Sequence, residues 1–348
     1  MLKSKWIKAS VGAFAALALT ACSSGNGNDS KATESKDDQF TVAMVTDIGG
    51  VDDKSFNQSA WEGLQAWGKE NGLERGADGF DYIQSNSDSD FIPNLNTTIN
   101  NGFDITVAIG YKLKPAITDI SKKHTDKYFA IIDEVVLADN VASYTFKDNE
   151  AAFLAGVAAA ETTKTNKVGF IGGAHSPVID RFEAGFAAGV KAANPNVEVN
   201  IEYVDSFGDA AKGKQLAAAM YANGADIIYQ AAGASGKGVF SEAKDIKKSD
   251  SSKAIWVIGV DRDQTDEGNY DGGNLTLTST LKGVGAAIQK LANEGLEGKF
   301  PAGQHIMLGL KEGAVDLTDG NLTEEVKAKV NEFKEKILNG EIEVPEKP

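Results

Sequence analysis

Residues 40–67 read FTVAMVTDIGGVDDKSFNQSAWEGLQAW, and their order of residue types decides the fold class. The run from Phe40 to Thr46 is short, apolar and β-branched, which predicts a buried strand. Asp47 ends it, and a loop with paired glycines leads to Ser55 and Gln58, an S-x-x-Q capping box that predicts a helix start. Ala60, Trp61, Leu64 and Trp67 then recur at helical spacing and form one apolar stripe. Strand, glycine loop and amphipathic helix in this order open a βαβ unit. Phe56 and Asn57 fall at the mouth of the helix.

The same rhythm continues outward. Strands are predicted over 81–85, 105–109 and 128–132, separated by helix-length segments in which Pro93 and Pro115 stand early, where a missing N–H is harmless. A second series begins near Lys167, with strands over 168–171, 197–204, 227–230 and 254–260 and helices starting near Pro177, Asp209 and Gly236. A loop over 263–274, a strand over 275–281, a helix through Glu297, a strand near 305–310 and a helix over 323–338 follow. The architecture repeats, although no residue-level repeat is visible. We therefore expect an α/β protein of two doubly wound parallel-sheet lobes joined by a hinge. Lobe 1 is expected over 39–146 plus about 264–302, and lobe 2 over about 147–263 plus 303–348. Chain crossings are expected near 141–149 and 261–264.

Composition agrees with this size and excludes several functions. The chain has 348 residues, 42% hydrophobic and 24% charged, which suits roughly two domains of about 150 residues each. Its net charge of -15 opposes a nucleic-acid track, because phosphates need a positive field. One cysteine closes no intrachain disulfide, and His124, His175 and His305 lie too far apart in sequence for a zinc cluster. Neither a metal nor a cofactor is expected.

The N-terminus accounts for that cysteine. Lys3, Lys5 and Lys8 precede an apolar run over 9–19, too short for a membrane span and suited to an export signal over 1–21. Small residues then precede Cys22, which resembles the processing box of bacterial lipoproteins, where the cysteine is acylated; an ordinary signal peptide is the plainer alternative. Residues 23–38, SSGNGNDSKATESKDD, lack an apolar cluster, so 22–38 reads as a tether. Two acyl chains suffice for stable anchoring, which would place the folded part at the outer face of the cell membrane.

In open parallel sheets, ligands bind beyond the carboxyl ends of the strands. Those ends offer Asp47, Asp133, Phe207, Asp261 and Lys282, with Phe56 beside them. Phe207 sits in a polar loop, 205–209, with no apolar stripe to join, so it either folds under its own loop or stacks on a ligand. Three aspartates beside one lysine make an acceptor-rich site that suits O–H and N–H donors and disfavours phosphate. Taken singly, each aspartate reads as a helix cap or turn.

Other patterns imitate chemistry without completing it. The stretch from Gly208 to Lys214 has phosphate-loop spacing, but Gln215 replaces the magnesium-holding hydroxyl. Gly233, Gly236 and Gly238 do not make the dinucleotide fingerprint, although the Gly233 backbone could approach a ligand closely. Asn86, Asp88 and Asp90 alternate like calcium ligands, yet Phe91 and Thr97 occupy positions that need glycine and glutamate, so a helix start is expected. Asp180, Arg181 and Glu183 read as exposed helix pairs. No nucleophile and base are arranged for catalysis, and no enzyme is expected.

Three stretches taken together, 45–63, 205–213 and 257–264, resemble the bacterial basic membrane protein family, and within it the purine nucleoside receptor A lipoprotein group. The resemblance runs from about Thr41 through the tail at 344–348. It implies a type I periplasmic-binding-protein fold and a monomeric lipoprotein that captures nucleosides, purine nucleosides first, for an ABC permease. By motif matching it implies that Phe56 and Phe207 sandwich the base, that Asp47 and Asn57 meet the base edge, and that Asp133, Gly233, Asp261 and Lys282 hold ribose hydroxyls. Adenosine and guanosine both present N–H donors, so the base stays open. Segments 110–115 and 172–176 receive no role. Sugar or autoinducer-type ligands remain the rival within transport. An exported nucleoside-processing enzyme and a host-interaction surface protein are the rivals outside it.

Overall fold

The computed structural model describes residues 39–348; the expected signal segment, Cys22 and the tether lie outside them. From Thr41 the chain forms β1 (Val42–Ile48), α1 (Phe56–Glu70), β2 (Phe80–Ser85), α2 (Phe91–Asn100), β3 (Ile105–Ile109), α3 (Lys114–Lys123), β4 (Tyr128–Ile132) and β5 (Val141–Phe146). The stripe expected on α1 is buried, with Leu64 and Trp67 fully enclosed. The second series is α4 (Asp148–Thr162), β6 (Lys167–Gly172), α5 (Pro177–Ala193), β7 (Glu198–Tyr203), α6 (Ala210–Ala222), β8 (Ile227–Ala231), α7 (Gly236–Ser249) and β9 (Trp256–Gly259). The chain closes with β10 (Asn269–Tyr270), β11 (Gly273–Asn274), β12 (Thr276–Lys282), α8 (Val284–Leu296), β13 (His305–Leu308), β14 (Val315–Leu317) and α9 (Glu324–Leu338).

Two six-stranded sheets result, in the orders β13-β5-β4-β3-β1-β2 and β14-β12-β9-β8-β6-β7. Strand pairs within them are parallel except β12 with β14. This is the expected pair of doubly wound lobes.

The expected lobe boundaries need correction at two places. Within the crossing expected near 141–149, Val141–Phe146 is the strand β5, paired with β4, and the chain leaves the first sheet only after it. The strand after the loop, β12, belongs to the second sheet beside β9, and β13 belongs to the first beside β5. The first lobe therefore takes α8 and β13 from the C-terminal part, and the second keeps the chain through Lys282 and regains it at β14. The residues over 275–281 alternate in a way that suits a strand of either sheet, and periodicity does not name a neighbour. A short connection does: the stretch over 263–274 folds into a single 3-10 turn and the hairpin β10 and β11, which keeps β12 at the side of β9.

The helix α4 is buried nearly all round, from Asp148 to Ala160. It can be, because glycines let its neighbour come close: any side chain at Gly185 or Gly189 of α5 would run into the backbone of Asn149 or Phe153. Phe153 also packs on Phe333 of α9, with ring centroids 5.8 Å apart. Asp148, the first residue of α4, is buried and reaches Lys282 at the end of β12. Among the described residues no helix is long and apolar enough to cross a membrane.

Candidate ligand-binding site

The carboxyl ends of the two sheets face one another across one narrow cleft. Asp47, Phe56, Asn57 and Asp133 line it from the first lobe, and Phe207, Gly233, Asp261 and Lys282 line it from the second. Every residue of the folded part that the resemblance assigns to the ligand thus lines one cavity. Asp133 and Asp261 follow β4 and β9, the strands in corresponding places of the two sheets, and both adopt left-handed backbone, with φ of 70° and 68°. Aspartate tolerates that conformation better than most residues, and its strain tends to mark working positions.

At one end of the cleft, Asp47 accepts a hydrogen bond of 2.8 Å from the Asn57 amide. Burial is the main cause that pushes the Asp47 carboxyl up to about 8, against the lowering effect of that hydrogen bond. The expected capping box is not formed here. Ser55 occupies the cap position without a side-chain cap bond, and Asp53 takes the role instead. Its carboxylate accepts from the backbone N–H groups of Ser55, Asn57 and Gln58 at 2.8, 2.9 and 3.1 Å. A carboxylate satisfies these amides better than a hydroxyl because its charge also meets the positive end of the helix. Gln58 turns away to Glu62. Ser55 is thereby free to donate across the cleft to the Asp261 carboxylate.

At the other end, the buried Lys282 ammonium lies 2.6 Å from Asp133 and 3.1 Å from Asp148. Burial would depress the lysine, but Asp133, Asp148 and Asp261 outweigh it and raise its pKa. Burial raises Asp133, and pushes Asp261 up to about 7, although Lys282 opposes both shifts. Arg181 joins this group through Asp148, with contacts of 2.8 and 3.1 Å. The expectation of exposed helix pairs at Asp180, Arg181 and Glu183 is therefore corrected. Arg181 points into the charge network, and Glu183 is buried and accepts the Tyr203 hydroxyl at 2.5 Å. Both partners lie on other elements, which an i,i+4 reading of one helix does not see.

The aromatic walls come from opposite lobes. Lys282 Nζ stands 5.2 Å from the Phe56 ring centroid, and Phe207 meets Tyr111 edge to face at 6.4 Å and 70°. Phe207 is half-buried and lines the cleft. Its loop is held from beneath, since Ser235 donates its backbone N–H to the Phe207 carbonyl and its hydroxyl to Ser206. Gly173 makes the necessary room, because a side chain there would begin 2.3 Å from the Phe207 ring.

Further links span the lobes at the rim: Gln264 to the Lys54 carbonyl at 2.7 Å, Lys237 to the Asp52 carbonyl at 2.6 Å, and Arg262 to Glu62 at 3.0 Å. The lobes are closed on one another. Sequence reading missed Asp53, Ser55 as a cross-cleft donor, Tyr111, Asp148 and the apolar floor of Val178, Ile179 and Phe182. Asp53 had a usable signal, since aspartate is as good a cap as serine. Asp148 had none, because an acidic residue opening a helix is ordinary.

Among the described residues no cluster suits a metal ion. Two facing α/β lobes closed on an acceptor-rich, aromatic-walled cleft define a binding protein of the type I periplasmic class. The fold is similar to an ABC transporter solute-binding protein from Aeropyrum pernix K1, at 26% identity and TM-score 0.77, over 88% of this chain and 94% of that one. A glucose-galactose binding protein from Geobacillus stearothermophilus shares the fold at TM-score 0.54 and 18% identity, over 75% and 92% of the two chains.

The family model for Bmp, ABC transporter substrate-binding protein PnrA-like, matches residues 40–348, and the chain belongs to that family. It is a substrate-binding protein of an ABC transporter. It is 47% identical to the ABC transporter nucleoside-binding protein BmpA of Lactococcus lactis subsp. cremoris, over 99% of this chain and all of that protein. It is also 52% identical to the CD4+ T-cell-stimulating antigen of Listeria innocua serovar 6a, over 95% of each chain, and 34% identical to basic membrane protein A of Borreliella afzelii, over 87% and 91%.

Proposed function

We propose that this chain is a lipid-anchored receptor at the outer face of the cell membrane, a monomer that closes on a purine nucleoside and hands it to an ABC permease. The observation that carries the reading is the pair of half-buried phenylalanines, Phe56 and Phe207, contributed by opposite lobes to one cleft that also holds the carboxyl groups of Asp47, Asp133 and Asp261. A flat heterocycle between such rings gains stacking worth roughly 1–3 kcal/mol per base, and it gains contact with both walls only when the lobes shut. The two ends of the cleft divide the remaining work. Asp47 and Asn57 suit the base edge, while Asp133, Asp261 and Lys282, with the Gly233 backbone, suit ribose hydroxyls. Buried acceptors without partners need donors, and Asp133 Oδ1 and Asn57 Oδ1 are two such atoms. The relative named as a nucleoside-binding protein supports the same ligand class. The anchor rests on Cys22 and the apolar run before it.

Thermal unfolding with added ligands tests the ligand class. A purine nucleoside should raise the melting temperature, by linkage, and free ribose at the same concentration should leave it unchanged. Equal stabilisation by ribose or glucose would move the assignment to sugars. Incorporation of labelled palmitate into the chain, and its loss in Cys22→Ser, tests the anchor.

A further inference from the structure

Asn57 is locked in one orientation by two carboxylates. Its side-chain Nδ2 donates to Asp47 Oδ1 at 2.8 Å and to Asp53 Oδ2 at 3.0 Å, which uses both of its hydrogens. Turning the amide over would set its oxygen against two carboxylates, so the orientation follows from charge rather than from packing. The amide oxygen, Oδ1, is left buried with no partner, in a residue only 2% exposed. Asp47 lines the same end of the cleft, and among the described residues its second oxygen, Oδ2, has no hydrogen-bond donor. Gly110 keeps open the space beside that oxygen, since a side chain there would begin 2.8 Å from it. Asp53 is in turn fixed by three backbone N–H groups at the start of α1, so it cannot rotate away without uncapping the helix.

We infer that Asp53 is a positioning residue that holds the Asn57 amide oxygen toward the cleft as an unpaired acceptor, so that the site takes its nucleoside through N–H donors on the base and ranks ligands by them. The inference rests on the nucleoside reading of the cleft. A 2-amino-6-oxopurine offers a ring N–H and an adjacent amino group, one donor for Asn57 Oδ1 and one for Asp47 Oδ2 in the ionised form that such a donor favours. Inosine offers the ring N–H alone. Purine riboside offers no N–H on its base and would leave both acceptors buried and unpaired, the costly outcome for a site built to hydrogen-bond.

Calorimetric titration of the protein with guanosine, inosine and purine riboside tests this. Guanosine should bind at least about tenfold more tightly than purine riboside, with inosine between them. In Asp53→Asn the neighbouring amide can donate to Asn57 Oδ1 and release its orientation, and the guanosine to purine riboside ratio should fall to about threefold or less. Asp53→Ser keeps a capping oxygen while withdrawing the second carboxylate, and should lower the ratio in the same direction if the first variant does not fold. A loss of helix capping alone would weaken all three nucleosides together and leave the ratio intact. A wild-type ratio near one overturns the inference while leaving the nucleoside reading standing, and an unchanged ratio in a folded variant overturns the role of Asp53. Absence of binding by all three nucleosides overturns the nucleoside reading and this inference with it.

Discussion

Lys282, the last residue of β12 in the second lobe, holds its ammonium 2.6 Å from the carboxylate of Asp133, which follows β4 in the first. The contact is buried and spans the cleft, with Asp148 completing it at 3.1 Å from the start of α4. A charge pair of this kind contributes little net stability when intact, because desolvation offsets attraction, but removing one partner strands the other. Lys282→Met keeps the volume and removes the charge. It should cost about 3–5 kcal/mol, read as a lower midpoint in chemical denaturation. A midpoint within error of the wild type would mean that the pair is not buried in solution.

Phe207 supplies one aromatic wall and is half-buried, packed against the edge of the hydrophobic core. Phe207→Ala should weaken nucleoside binding by about 1–3 kcal/mol and lower the ligand-free melting temperature less than truncation of a fully buried phenylalanine such as Phe170 does. Calorimetry and a thermal melt on the same preparation separate the two effects. Unchanged affinity would remove the ring from the site.

Gly173 sets the position of that wall from below. A methyl group there would begin 2.3 Å from the Phe207 ring, too close for any real contact, so Gly173→Ala should displace the ring into the cleft. The expected result is a loss of nucleoside affinity comparable to that of Phe207→Ala, with the double variant binding no more weakly than Phe207→Ala alone. Additive losses in the double variant would show that the two positions act independently.

The pH dependence of stability carries the signature of the buried carboxylates. The unfolded chain releases the Asp47 proton near 3.8, whereas burial holds it in the folded chain up to about 8. For Asp261 the corresponding values are 3.8 and about 7. Between these limits the folded state binds more protons than the unfolded, so the ligand-free protein should lose stability as pH rises from about 4 to about 8 and level off above. Asp47→Asn should flatten the upper part of that slope. Stability that rises across this interval in the wild type, with no change in Asp47→Asn, would contradict the burial of the ionised group.

Much of the fold was legible because period and punctuation agree. The alternation of short β-branched runs with striped helices predicts two wound sheets, and the strand ends then give the cleft residues, as Asp47, Asp133 and Asp261 demonstrate. What the sequence did not yield depends on partners distant in the chain. Both β12 and β13 are readable as strands, but their exchange between lobes is decided by connection length and by which sheet edge is open, and neither leaves a mark in the residues themselves. The same holds at the site. Ser55 looks like a cap because its neighbours have the capping pattern, and only the fold brings Asp261 within reach of its hydroxyl. Arg181 looks solvated on its own helix and is charge-paired across to α4. Cross-element pairing, rather than local propensity, separates the expected site from the observed one.

Native mass spectrometry of the gently purified protein, followed by identification of any released small molecule, tests the central claim most directly. The account predicts one purine nucleoside per chain, retained by the wild type and lost from Phe207→Ala. A chain that carries a free sugar instead, or that stays empty and fails to take up added guanosine, inosine or adenosine, would contradict it.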